Sequence, residues 1–134
     1  MSAANELQAA IFARLSGDAA LAGLVAGGTI TDRLTTPGAR PALRFGAIES
    51  GDYSTASEPG EEHRLAIEVR GEEGGHKAVQ AVAARLRALL HDQALTLPSH
   101  ILVNLRHQTT RTRRDGETRG HRAELMFRAV TEPR

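Results

Sequence analysis

The chain has no cysteine and no tryptophan, and its aromatic complement is three phenylalanines and one tyrosine. Without cysteine there can be no disulfides, thiolate nucleophiles or cysteine-ligated zinc, which fits a reducing compartment. With so few aromatics the core has to be aliphatic, and base stacking, the usual grip of single-stranded nucleic-acid binders, has little to work with. Long apolar runs are also missing. No segment approaches the roughly 18 apolar residues that a membrane-spanning helix needs, so no membrane contact is expected. The opening MSAANELQAAIFARL lacks a basic leader, carries Glu6 early and shows helical spacing, and is expected to be mature structure instead of an export signal.

What is present suits one globular domain, residues 1–134. A chain of this length can bury roughly two-thirds of its unfolded surface, and 40% hydrophobic with 25% charged residues is an ordinary globular balance. Formal net charge is +1, yet the charges are sorted along the chain. Glu49 to Glu73 holds eight acids and two arginines, whereas Arg106 to Arg128 holds seven arginines and three acids. A nucleic-acid binder would usually be basic throughout, so the sorting points to a local contact, with the acidic segment of a second copy as one candidate.

Leu7, Ala10, Ile11 and Leu15 predict a first helix, with Gly17 in the position of a left-handed cap. Asp18 is placed to cap a short second helix carrying Leu21, Leu24 and Val25, ended by Gly27-Gly28. A brief strand is expected over 29–33, then the loop TTPGARP, then a strand with Leu43, Phe45 and Ala47 on its apolar side. GDYSTASEPGEE, 51–62, has little to bury and reads as a long mobile loop. Leu65, Ile67 and Val69 alternate with polar residues in a half-buried strand. Val79, Val82, Ala83, Leu86, Leu89 and Leu90 mark one stripe of a long amphipathic helix over 75–91.

Two long strands close the chain, 101 to about 113 and 117 to about 130, joined at Arg114-Asp115-Gly116. A one-residue slip exchanges the faces of a strand, so the register can be tested by matching apolar sides. A two-residue loop mismatches them. A three-residue loop with Gly116 left-handed pairs Val103 with Phe127, Leu105 with Leu125 and Arg106 with Glu124. In that register both faces beyond Leu105 and Ala123 are polar, so the ribbon is expected to project as an arm, which alone would be marginally stable.

Few residues stand in patterns that carry chemistry. The six histidines stand singly at 63, 76, 91, 100, 107 and 121, with no HExxH, so no metal site is expected. No GxSxG elbow is present, and the glycines of AGGTITD and GEEGG match neither GxGxxG nor GxxxxGK[ST]. No catalytic residue and no cofactor is expected. The dense constellation is Arg111, Arg113, Arg114, Arg119 and Arg122. It reads as a solvated hairpin, as a protein-contact arm whose acidic counter-surface is Glu58, Glu61, Glu62, Glu72 and Glu73, or as a nucleic-acid contact that Asp115 and Glu117 weaken.

Taken in order, LQAAIFARLSGDAALAGLV, EHRLAIEVRGEEGGHKAVQAVAARLRALLHD, ILVNLR and RAELMFRAV resemble the tail-completion or tail-terminator proteins of long-tailed phages and phage-like gene transfer agents. The resemblance covers nearly the whole chain but rests on apolar patterns, with no residue-level site to carry over. It implies an α+β fold: a mostly antiparallel sheet with a long C-terminal hairpin and helices packed on one face. It also implies a hexameric ring that caps the head-proximal end of the tail tube, ends tube growth and joins tail to head. Its partners would be the tube protein and a head-tail connector or stopper protein, with DNA passing through the lumen. Assembly would take place in the host cytoplasm, leaving the protein in the tail of the particle. The alternative is a small nucleic-acid-binding module using the basic hairpin.

Overall fold

The computed structural model describes residues 2–32, 38, 40–114, 116 and 119–134. Helix α1 spans Ala3–Ser16, and Ser2 caps it by accepting a bond from the Asn5 amide. Gly17 follows in a right-handed conformation, φ −82° and ψ −3°, not the left-handed one expected. The reason is its neighbour: Asp18 at once caps α2, Ala19–Leu24, through the Leu21 amide at 2.9 Å, leaving no room for a reversal. The expected positive φ falls instead on Gly27 and Gly28, which end the helical segment.

Strand β1 runs Ala42–Asp52, β2 Glu61–Gly71, β3 His100–Arg114 and β4 His121–Pro133, and helix α3 occupies His76–Leu90. The sheet order is β1-β2-β4-β3 and every pairing is antiparallel. The protein is therefore α+β. The expected strand at 29–33 reduces, among the described residues, to one parallel bridge of Thr31 with Arg44. Arg33 and most of TTPGARP lie outside the described residues.

Two expectations for β1 and its loop need correction. Ala47 is exposed, because a bulge between Phe45 and Ile48 inserts one residue and reverses the alternation, so that Ile48 packs against the core instead. Gly46 sits in the bulge, where a Cβ would lie 3.0 Å from that of Ala66. The segment 51–62 is not one long loop: Gly51 pairs with Glu62 and Asp52 with Glu61. The connection between them is closed by Tyr53 N to Gly60 O and Thr55 N to Glu58 O, both at 2.8 Å.

The closing hairpin also differs. Its strands are joined by six residues, because β4 begins at His121, and β3 contains two register shifts. Phe127 therefore faces His107 instead of Val103, Leu105 faces Ala129 instead of Leu125, and Arg106 faces Arg128 instead of Glu124. Glu124 is opposite Arg111. Nor does the ribbon stand free: β2 flanks β4 from His121 to Thr131, so β4 is an interior strand. Asp115 and Glu117, around the expected tip, lie outside the described residues.

The core lies between one face of the sheet and the helices. Leu65, Ile67 and Val69 of β2 meet Ala123, Leu125, Phe127 and Ala129 of β4, and the predicted stripe of α3 covers them with Leu7, Ile11 and Leu15 of α1. All these residues are buried. Fully burying each large apolar side chain contributes about 1.5–3 kcal/mol, which is what holds the helix layer to the sheet.

Candidate interaction surface

Side chains alternate across a sheet, so every strand that places an apolar residue against the helices places its neighbours on the opposite face. That helix-free face has a regular charge pattern, built row by row by the strand register. Arg70, Arg122 and Arg113 stand side by side in one row, and Arg44, Glu68, Glu124 and Arg111 form the next. Ala66, Met126 and Thr109 follow, and then Glu49, Arg64, Arg128 and Arg106. Like charges directly opposite repel, and the carboxylates of the adjoining row offset that repulsion. Arg44 Nη2 lies 2.7 Å from Glu68, and Arg122 Nε lies 3.8 Å from the other oxygen of the same carboxylate.

The predicted basic residues thus separate. Arg111 and Arg113 are exposed on the helix-free face of edge strand β3, and Arg114 is exposed one residue on. Arg119 is exposed with a positive φ of 57°. Arg122 is half-buried beside Glu68 in the interior of the sheet, which sets it apart from the other four.

The predicted acids separate as well. Glu58 and Glu61 are exposed near the β1–β2 turn, whereas Glu72 and Glu73 are exposed at the opposite end of the sheet, beyond Gly71. Glu62 is engaged within its own chain, 2.7 Å from Arg128 and 3.3 Å from Arg64, and the Arg128 bond in particular holds its carboxyl below the usual range. Arg128 also stacks over the Tyr53 ring at 5.3 Å.

Sequence reasoning missed Arg44, Glu68 and Arg128 as members of this surface. The alternation of RLAIEVR showed a polar side to β2, but which strands lie beside it is a matter of pairing across the chain.

Two polar clusters at the sheet ends and helix starts are structural. Glu6 is buried and accepts from the Ser99 amide at 2.7 Å, from Ser99 Oγ and from His100 Nδ1 at 2.8 Å, fastening α1 to the start of β3. These bonds, the Ser99 hydroxyl first, hold its pKa at about 2. Although serine, histidine and carboxylate meet here, hydroxyl and imidazole Nδ1 both turn to the same carboxylate. His100 Nδ1 also lies 3.2 Å from Ser99 Oγ, but a ring nitrogen that donates to Glu6 has no lone pair left to take the hydroxyl proton, so the three groups act as a clamp. Asp18 is held at about 2 chiefly by Arg85, whose Nη2 and Nε bind its two oxygens at 2.6 and 2.9 Å and tie α2 to α3.

His63 is wholly buried between Ser50 Oγ at 2.7 Å and Thr131 Oγ1 at 2.9 Å, and burial lowers its pKa. A histidine with a lowered folded pKa contributes stability that is full above its ordinary value of 6.5 and declines below it. Glu6 and Asp18 contribute stability that is full above their ordinary 4.5 and 3.8 and is lost as pH falls toward about 2. Urea midpoints measured from pH 7 to pH 2 are expected to fall in two limbs. Glu6→Gln and Asp18→Asn should flatten the lower limb and leave the upper one in place. An unchanged lower limb in both variants would refute the assignment.

The fold is that of an α+β domain that presents a charged sheet face on the side away from its helices. The chain belongs to the family described as tail completion protein gp17, whose profile matches residues 9–132. It is also similar to a chain in the structure of the virion of a native gene transfer agent particle, with 31% identity, 98% of each chain covered and a TM-score of 0.86. No curated protein matches it.

Proposed function

We propose that this protein forms a ring, with a hexamer as the expected form, that caps the head-proximal end of a phage-like tail tube, ends tube growth and joins the tail to the head. The observation that carries this reading is the likeness to a virion chain over 98% of both lengths, because a subunit matched from end to end is suited to the same kind of packing. The tube protein would lie on one side of the ring and a connector or stopper protein on the other. DNA would pass through the lumen. The separation of exposed Arg111, Arg113, Arg114 and Arg119 from exposed Glu58 and Glu61 supports it, since a heterologous contact that closes by rotation needs two different, complementary patches on each copy.

Particles assembled without the protein are expected to carry overlong tubes lacking heads. Adding it back should restore a uniform tube length, with the protein at the tube end nearest the head. Uniform, head-bearing tails formed in its absence would overturn the proposal. The alternative, a nucleic-acid-binding module, rests on the same four exposed arginines, but Glu68 and Glu124 in the next row reduce the pull of that face on phosphate. A compact monomer that shifts duplex DNA with a steep salt slope would favour the alternative.

A further inference from the structure

An edge strand presents unsatisfied backbone groups, and natural sheets cover such edges or use them. Both edges of this sheet are half covered. On β1, Thr31 accepts from the Phe45 amide at 2.8 Å and donates to the Leu43 carbonyl at 3.1 Å, closing the first part of the strand. On β3, Thr96 bridges Ile101, Asp92 N donates to the Leu105 carbonyl at 2.8 Å, and His91 Nδ1 accepts from the His107 amide at 2.9 Å. What remains are 46–52 on β1 and 108–114 on β3. Among the described residues these segments have no backbone pairing except with β2 and β4, respectively.

The two open segments carry opposite charge. The β1 segment, GAIESGD, holds Glu49 and Asp52, and the β3 segment, QTTRTRR, holds Arg111, Arg113 and Arg114. Glu49 and Arg111 are both exposed and, by register, both on the helix-free face. β1 and β3 run in opposite directions across the four strands, so a second copy set beside the first in the same orientation would extend the sheet in antiparallel fashion.

The segments are also displaced along the strands. Thr109 to Arg114 lies level with residues 66–71 of β2, whereas Ile48 to Asp52 lies level with 65–61. Their central residues, Glu49 and Arg111, lie level with Arg64 and Glu68 of β2, an offset of about four residues or about 13 Å at ~3.3 Å per residue, while four strands at ~4.8 Å spacing are about 19 Å wide. Copies joined through these segments and kept at one height must therefore tilt their strands about 35° to the ring axis, at the lower end of the roughly 35–45° range in which closed sheets are found.

We propose that 46–52 of one copy pairs by backbone hydrogen bonds with 108–114 of the next, so that the sheets of neighbouring copies run on into one continuous closed sheet. The inference rests on the ring proposed above and names the contact that builds it. Glu49 then faces the Arg111 region of its neighbour, and the Arg111 to Arg114 segment acquires an occupant of defined chemistry: an acidic edge strand of the same chain.

The protein's lack of cysteine makes the test clean. Glu49→Cys and Arg111→Cys are prepared as separate chains, mixed, and treated with a short bis-maleimide, both as purified ring identified by native mass spectrometry and in assembled particles. The mixture is expected to yield a covalent dimer containing one chain of each kind, and neither variant alone should cross-link. A double variant should give a ladder up to the ring number. Rings without the mixed cross-link overturn the strand pairing and leave the ring standing. Self-linking of Arg111→Cys overturns it in favour of a two-fold contact. Absence of any species above the monomer in both settings sinks the ring and this contact together. As a second measure, Glu49→Arg and Arg111→Glu should each lower ring yield at least fivefold and together restore it to within twofold; no rescue counts against the pairing.

Discussion

Phe127→Ala is expected to lower folding stability by about 3–5 kcal/mol, the range for removing a large buried aromatic. Phe127 is 1% exposed, sits in interior strand β4 opposite Leu65 of β2 and His107 of β3, and packs its ring edge against His107 at 5.6 Å. Neighbours on both sides are held by strand pairing, so the cavity cannot collapse readily. A loss of that size is a large part of the roughly 5–15 kcal/mol that holds a domain folded. Urea unfolding followed by circular dichroism measures it. Phe12→Ala is the matched comparison: Phe12 is 44% exposed on α1, and its loss should stay near 0.5 kcal/mol, as for ordinary surface positions. Equal effects at the two sites would show that the sheet between β2 and β3 is not packed as described.

Reversing Arg111, Arg113 and Arg119 to Glu together is expected to reduce ring yield and tube capping by tenfold or more while the monomer stays folded. These side chains are exposed, so the folded chain should lose little beyond the repulsion of a carboxylate at 111 facing Glu124, which is of order 1 kcal/mol or less. Replacing the same three with Lys keeps the charge and should retain most assembly. A salt titration separates the cause, since contacts between exposed charges weaken as the screening length shortens. Undiminished capping by the triple Glu variant would remove the basic edge from the proposed contact.

The helices and the apolar sides of the strands were legible because each is a local periodicity. The stripe of α3 from Val79 to Leu90 is buried as its spacing requires, and Leu65, Ile67 and Val69 are buried as their alternation requires. The family was legible for the same reason, as an order of such patterns along nearly the full chain. Register was not legible. Matching apolar faces on the closing hairpin assumed uninterrupted strands, and two irregularities in β3 together with a six-residue connection moved each partner by about four positions. Ala47 failed for the same cause in β1. A bulge needs one extra residue and a neighbouring backbone to accept it, and neither leaves a periodic mark in the sequence.

The candidate surface divides along the same line. The basic character of the 106–128 stretch and the acidic character of 49–73 are properties of composition, and the sequence by itself determined them, together with an aliphatic core and the absence of cysteine chemistry. Only the tertiary structure decided what each charge does. Arg122 and Glu62 are engaged within the sheet because strands distant in sequence lie beside them, whereas Arg111 and Arg113 stay exposed because β3 is the last strand of the sheet. The apparent arm became part of a four-stranded sheet because β2 pairs with β4 along its length. Periodicity reports which side of an element is apolar. Which elements meet, and which backbone edges are left open, is settled by long-range pairing that no single stretch of the chain contains.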